Sequence, residues 1–217
     1  MVSGLLGDLD AERLVTSLCS TYKNAHYYLN FKSPIDLVVA AILSAQTRDE
    51  VVNKLTPALF AKYRTPKDYA NADIDELVGY IKSVSFAGNK AKNIINTCKT
   101  IVGKHNGRVP DKMEELVELP GIGRKTANTI LINAYGIVEG IPVDTWVIRL
   151  SYRLGLSKNR DPDKIETDLR SKVPKRYWHI LAYVLKTHGK EICQTVPHCS
   201  KCSVQKICPK IGVTKKL

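Results

Sequence analysis

No stretch of this chain approaches the roughly 20 consecutive apolar residues that cross a bilayer. The best candidate, Leu37-Val38-Val39-Ala40-Ala41-Ile42-Leu43, stops far short, so a membrane-spanning helix is not expected. The opening "MVSGLLGDLDAERL" lacks a basic segment followed by an apolar one and carries early acids. No secretory signal is expected, and the default location is the cytoplasm, at the nucleoid if the cell is prokaryotic. Acids are scarce as well: 21 Asp and Glu face 33 Lys and Arg, a formal net charge of +12. Such an excess attracts polyanions, of which nucleic acid is the commonest inside a cell. Convincing strands, a fixed-period repeat and a low-complexity linker are also missing. The expectation is an all-α fold whose 217 residues form one large or two closely joined domains.

What is present is a succession of helix signals. Ser33 can cap a helix with Pro34 in its first position, and Thr47 with Glu50 makes a capping-box pattern, leaving Gln46 at a turn between two helices. Asp73 and Glu76 open a helix whose Ile74, Leu77, Val78 and Ile81 share a face. Ile94, Ile95, Cys98, Ile101 and Val102 mark another, stopped by His105-Asn106-Gly107, and Cys98 reads as core. Asp111 with Glu114 opens a further helix. Asp144 and Asp161-Pro162 start two more, and a last long one ends at Gly189.

Between Leu119 and Lys125 the sequence reads LPGIGRK, just ahead of a helical pattern through Ala127, Ile130, Leu131 and Ala134. Two glycines let backbone approach another molecule closely. Unpaired N–H groups and the positive dipole end at a helix start suit a phosphate oxygen. Such a turn holds a nucleic-acid backbone without reading bases. The bland alternative, a helix-to-helix turn with a solvated Arg-Lys pair, is about equally supported by this motif alone.

Four of six cysteines crowd near the C-terminus as Cys193, Cys199, Cys202 and Cys208, with the spacing C-x5-C-x2-C-x5-C. In a reducing compartment such clustering points to metal ligation over disulfides. Spacing alone leaves two options, one tetrahedral zinc or one cubane iron–sulfur cluster.

Taken together, "LPGIGRKTAN" followed by "VDTWVIRL" closely resembles the helix-hairpin-helix and catalytic segment of the endonuclease III family of DNA repair glycosylases and abasic-site lyases. "SPIDLVVAAILSAQTRD", "NKAKNIINTCK", "HNGRVP" and the cysteine cluster are similar to that family in the same order, from about Asn30 to Pro209. The resemblance implies two helical domains flanking a DNA-binding groove. One is a barrel-like domain over 26–137 with the helix-hairpin-helix; the other is discontinuous, 1–25 plus 138–217, with an iron–sulfur loop. It makes Lys125 the nucleophile and Asp144 the catalytic carboxylate. Leu119, Gly121, Ile122, Gly123 and Arg124 become DNA contacts, and Gln46 and Phe86 fill the gap left by an extruded nucleotide. Ser44, Asp49 and Trp146 line the base pocket, and the four cysteines hold a [4Fe-4S] cluster. The implied partner is double-stranded DNA containing damaged bases or abasic sites, met by a monomer with no membrane contact. Three features depart from the family pattern. Phe86 stands where relatives often carry leucine, Trp146 where histidine usually follows, and the first cysteine loop is one residue shorter.

The chemistry suits these groups. Breaking the glycosidic bond develops positive charge at C1′, which a carboxylate stabilises, and an amine attacking that carbon gives a Schiff base that permits β-elimination. The expected activity is a bifunctional glycosylase and lyase acting on damaged, oxidised pyrimidines. A mismatch-specific glycosylase of the same fold and a non-catalytic DNA-binding module are the alternatives. The first is disfavoured by Lys125 and the second by Lys125 together with Asp144.

Overall fold

The computed structural model describes residues 4–217. Every regular element among them is helical: there are eleven α-helices and no strand. Among the described residues no helix is long and apolar enough to cross a membrane. The chain divides into two compact units, one made of the residues up to Tyr27 with Val138–Leu217, the other of Tyr28–Ile137.

Helix α1 (Asp8–Thr21) belongs to the discontinuous unit. The continuous unit then contributes α2 (Pro34–Ser44), α3 (Asp49–Lys62), α4 (Pro66–Ala70), α5 (Ile74–Ile81), α6 (Ala87–Lys104), α7 (Met113–Val117) and α8 (Arg124–Ile130). A π-helical stretch, Leu131–Tyr135, prolongs α8. The discontinuous unit resumes with α9 (Thr145–Arg153), α10 (Pro162–Lys172) and α11 (Trp178–Glu191).

Within the continuous unit, α2 is apolar nearly all round, and such a helix is stable only when surrounded. Residues Ile35 to Leu43 are all buried, and α3, α6 and α8 pack against it. Its start is fixed by a reciprocal cap: the Asp36 N–H donates to Ser33 Oγ (3.3 Å) and the Ser33 N–H to Asp36 Oδ2 (3.1 Å). Thr65, Pro66 and Asp68 repeat the device at α4. Helix α6 covers α4 and α5 with Ile94, Ile95, Cys98 and Ile101, and ends where Asn106 and Gly107 turn left-handed. In the discontinuous unit α11 packs on α1 and α9, and Leu181, Val184 and Leu185 of α11, Leu14 and Leu18 of α1, and Val147 and Leu150 of α9 are all buried.

Three local expectations need correction. Thr47 does not cap α3; Arg48 holds that position without a side-chain bond. Asp111 does not cap α7, whose N-cap is Lys112. Gly189 does not close α11 but lies inside it. The first and third have long-range causes that belong to the site.

Candidate functional site

The hairpin before α8 is anchored from below. Leu119 and Ile122 are 2 % and 4 % exposed, so their side chains belong to the core and only their backbone can meet a partner. The Ile122 N–H donates to the Leu119 carbonyl (3.0 Å), and Thr97 Oγ1 donates to the Pro120 carbonyl (2.6 Å). Gly121 has φ +80°, and a Cβ there would lie 3.1 Å from Asn93 Nδ2. Gly123 differs. As N-cap of α8 it has φ −94° and ψ 175°, makes no side-chain cap and faces open space where a Cβ would stand. Arg124 and Lys125 follow in the first turn, both exposed, while Ala127 to Ile130 turn inward. The turn therefore offers α8's first N–H groups and two cations on one exposed edge.

Helix α8 packs on α2, and α2 leads directly into the turn that carries Gln46. Gln46 is exposed with φ 53°, and Phe86, the N-cap of α6, is 64 % exposed with φ 58°. Neither is glycine, so each conformation costs on the order of 1–3 kcal/mol and persists only where its surroundings hold it. The two turns hold each other. Ser85 Oγ donates to the Gln46 carbonyl (3.0 Å), and the Ser85 N–H donates to Thr47 Oγ1 (3.2 Å). Thr47 also accepts from Lys90 Nζ at 2.9 Å, which is why it does not cap α3. Ser44 is half-buried and donates to the Ala41 carbonyl (2.9 Å), an ordinary helix-end bond; Asp49 is the first residue of α3.

In the other unit, Asp144 caps α9 with a single oxygen: Oδ1 accepts from the Trp146 N–H and the Val147 N–H, each at 2.9 Å. Oδ2 accepts no hydrogen bond among the described residues. Trp146 is half-buried, stacked by Arg149 and packed against Gly189. Gly189 is thus small because an indole lies on α11 at that point.

Cys193, Cys199, Cys202 and Cys208 are free thiols, and all four line one small cavity, with His188, Arg153 and Lys210. The loop is held by cations. Arg153 donates to the carbonyls of Cys193 (3.2 Å), Gln194 and Thr195 (3.0 Å), and its Nη1 lies 3.6 Å from Cys193 Sγ. Arg149 adds a bond to the Cys193 carbonyl (3.2 Å), and Lys210 donates to the Cys208 carbonyl (3.1 Å). Burial pushes the Cys208 thiol up to about 11 and raises Cys202, and the nearby Lys210 charge works against that rise, toward the thiolate that binds metal. Yet among the described residues no three His, Cys, Asp or Glu side chains converge as a single metal ion requires. Four thiols lining one cavity are the donor set that an iron–sulfur cluster takes.

Sequence reasoning missed Lys90, Ser85, Arg149, Arg153 and Gly189. The stretch containing Lys90 carries a signal only through its place in the resemblance. The others pair with residues remote in the chain, and nothing local marks them.

Known proteins resemble this chain over nearly its whole length. The model of the HhH-GPD superfamily base excision DNA repair protein matches residues 39–175. The endonuclease III of Synechocystis sp. is 44% identical over 92% of this chain and 91% of its own length. That of Bacillus subtilis is 41% identical over 86% of each. Among solved structures, an endonuclease III trapped as a covalent intermediate with DNA superposes with a TM-score of 0.89 at 36% identity, covering 94% of this chain and 96% of that one. A thermostable thymine-DNA glycosylase shares the fold, with a TM-score of 0.84 at 20% identity, over 93% of this chain and 96% of its own. The chain belongs to the HhH-GPD superfamily of base excision DNA repair proteins and, within it, to the endonuclease III family of DNA glycosylases and abasic-site lyases.

Proposed function

We propose that this endonuclease III family member excises oxidised pyrimidines from double-stranded DNA and cleaves the resulting abasic site, with Lys125 as nucleophile and Asp144 as electrostatic stabiliser. As the glycosidic bond breaks, the base leaves with the bonding electron pair and takes up a proton. The positive charge developing at C1′ is met by the Asp144 carboxylate. Lys125 Nζ bonds to C1′, the sugar ring opens, and a protonated imine forms. Loss of a C2′ proton then expels the 3′ phosphate oxygen with the electrons of its bond to C3′, and water hydrolyses the imine to free the lysine. Gln46 and Phe86 occupy the space vacated in the base stack, Ser44, Asp49 and Trp146 border the extruded base, and the hairpin backbone with Arg124 holds phosphate. The protein acts as a monomer in the cytoplasm.

The observation that carries this reading is the divided use of Asp144. One carboxylate oxygen is fixed by two backbone N–H groups and the other accepts no hydrogen bond among the described residues, an oriented charge of the kind a developing cation needs. The cysteine loop fits a [4Fe-4S] cluster held by Cys193, Cys199, Cys202 and Cys208, since its four free thiols share one cation-rimmed cavity. When bound, the cluster cross-links the loop that α9 and α11 support; no step of base excision passes through it.

Duplexes carrying thymine glycol, uracil, a mismatch, 8-oxoguanine or an abasic site, each incubated with and without borohydride, test the reading. The expected result is excision of thymine glycol and covalent trapping that disappears in Lys125→Gln. Excision of mismatched thymine or adenine without trapping supports the mismatch enzyme instead, and binding with no cleavage supports the non-catalytic module.

A further inference from the structure

Lys90 sits where lysine is rarely found. It is 6 % exposed, on the first turn of α6, and among the described residues its ammonium meets no carboxylate at hydrogen-bond distance. Its three protons meet three neutral acceptors: the carbonyls of Leu43 (2.7 Å) and Ala45 (2.6 Å) and Thr47 Oγ1 (2.9 Å). The two carbonyls lie at the C-terminus of α2, where the last turn leaves acceptors unsatisfied and the helix dipole is negative. An apolar side chain would fill the same volume without the cost of burying a charge, so the ammonium is there for what it binds.

What it binds is the frame of the Gln46 turn. Ala45 and Thr47 flank Gln46 on either side, and the Thr47 N–H returns to the Ser44 carbonyl (3.1 Å). The same residue grips the other turn with its backbone: the Lys90 N–H donates to the Phe86 carbonyl (3.0 Å). Ser85, next to Phe86, closes the ring with its bonds to Gln46 and Thr47.

We propose that Lys90 is a positioning residue that fixes Gln46 and Phe86 as one two-pronged insert, and that this fixed spacing supplies the protein's preference for duplex DNA with a vacancy in its base stack. The proposal rests on the insertion roles assigned to Gln46 and Phe86 above. A preformed insert enters a gap without paying to order two exposed side chains, so the advantage is confined to DNA that offers a gap. Intact duplex, held through its phosphates by the hairpin, gains nothing from it.

The experiment measures affinity of the full-length, cluster-loaded protein for two duplexes of one sequence, intact or bearing a single tetrahydrofuran abasic analogue. The variants are Lys90→Met, Ser85→Ala and the Gln46→Ala/Phe86→Ala pair, alone and combined. Neither duplex requires chemistry, so the result is independent of Lys125. We expect Lys90→Met to lower the abasic-over-intact preference by about tenfold with intact-duplex affinity unchanged, and to add nothing in the paired-alanine background, because residues acting as one unit are non-additive. Ser85→Ala, an exposed change that removes one cross-turn bond, lowers the preference by about threefold, which keeps the test alive if Lys90→Met does not fold. Parallel loss of affinity for both duplexes, or a further loss in the paired-alanine background, overturns the proposal in favour of a simple helix-end cap. If the paired-alanine protein keeps the wild-type preference, the insertion roles fall and the clamp with them. If that protein loses it while Lys90→Met and Ser85→Ala do not, only the clamp falls.

Discussion

The Arg149 guanidinium carbon stands 4.5 Å from the centroid of the Trp146 ring, while its Nη2 reaches the Cys193 carbonyl. One side chain thus joins the residue two places after Asp144 to the start of the cysteine loop. Trp146 is held on α11 as well: a Cβ on Gly189 would lie 2.5 Å from its Cε3 and 2.9 Å from its Cζ3. Gly189 has no left-handed backbone to protect, so its smallness answers to the indole alone.

Gly189→Ala is therefore expected to destabilise the protein by about 1–3 kcal/mol through overpacking against a ring that Arg149 prevents from moving. In a Trp146→His background the overlap disappears, and the same alanine should be near neutral or favourable to its helix. Denaturant unfolding of the four proteins in the cycle measures this. A coupling below about 0.5 kcal/mol, the ordinary limit for independent sites, rules the account out.

Asp144 separates into a structural and a chemical half. Asparagine caps helices about as well as aspartate, so Asp144→Asn is expected to keep stability within about 0.5 kcal/mol, whereas Asp144→Ala loses about 1 kcal/mol with the cap. Both remove the charge proposed to stabilise C1′, and both should lower excision on the order of 100-fold, the usual cost of losing one transition-state stabiliser. The informative outcome is Asp144→Asn: excision at the wild-type rate in a stable protein would leave the carboxylate only its capping role.

The hairpin glycines give opposite expectations. Gly121→Ala places a side chain at φ +80° against Asn93 and should cost about 1 kcal/mol or more of stability. Gly123→Ala meets nothing at an ordinary φ, so stability should hold within about 0.5 kcal/mol. Its methyl group nevertheless occupies the approach to α8's first N–H groups, and duplex affinity should fall about tenfold with an unchanged salt slope, since no charge is lost. Arg124→Gln is the complement, lowering that slope by about one unit. A Gly123→Ala protein with undiminished affinity would remove the close backbone contact from the reading.

Helix starts were legible because their logic is local. Ser33, Asp73, Asp144 and Asp161 each accept from an N–H two or three residues on. The failures at Thr47 and Gly189 share one cause, a partner too far along the chain to leave a local trace. Thr47 has the pattern of a capping box but spends its oxygen on Ser85 and Lys90, 38 and 43 residues away. Gly189 reads as a helix stop, yet it lies within α11 and makes room for Trp146. Lys90 looks like one more surface cation, since nothing in its own turn reveals that Nζ ends against α2. The candidate site divides in the same way. The hairpin and the cysteines are contiguous motifs and could be named from sequence, whereas the arginines and the lysine that hold them in place could not.

Cysteine reactivity should separate the loop from the core. Cys98 is fully buried and its burial pushes the thiol up to about 12, while burial pushes Cys19 up to about 11. At pH 8 about one Cys98 thiol in 10⁴ is ionised, and the thiolate is the reactive form. Intact holoprotein exposed to an alkylating reagent should keep Cys193, Cys199, Cys202 and Cys208 protected as cluster ligands. Oxidative loss of the cluster, followed by chelation of the released iron, should open those four to labelling while Cys98 stays protected until the protein is unfolded. The same treatment should abolish the broad visible absorbance of iron–sulfide and lower the melting temperature, because Arg149 and Arg153 would then hold a loop with no internal cross-link. Peptide mass spectrometry reads the labelled positions. Labelling of the four before iron is lost, or stoichiometric zinc in place of iron and sulfide, would exclude the cluster assignment.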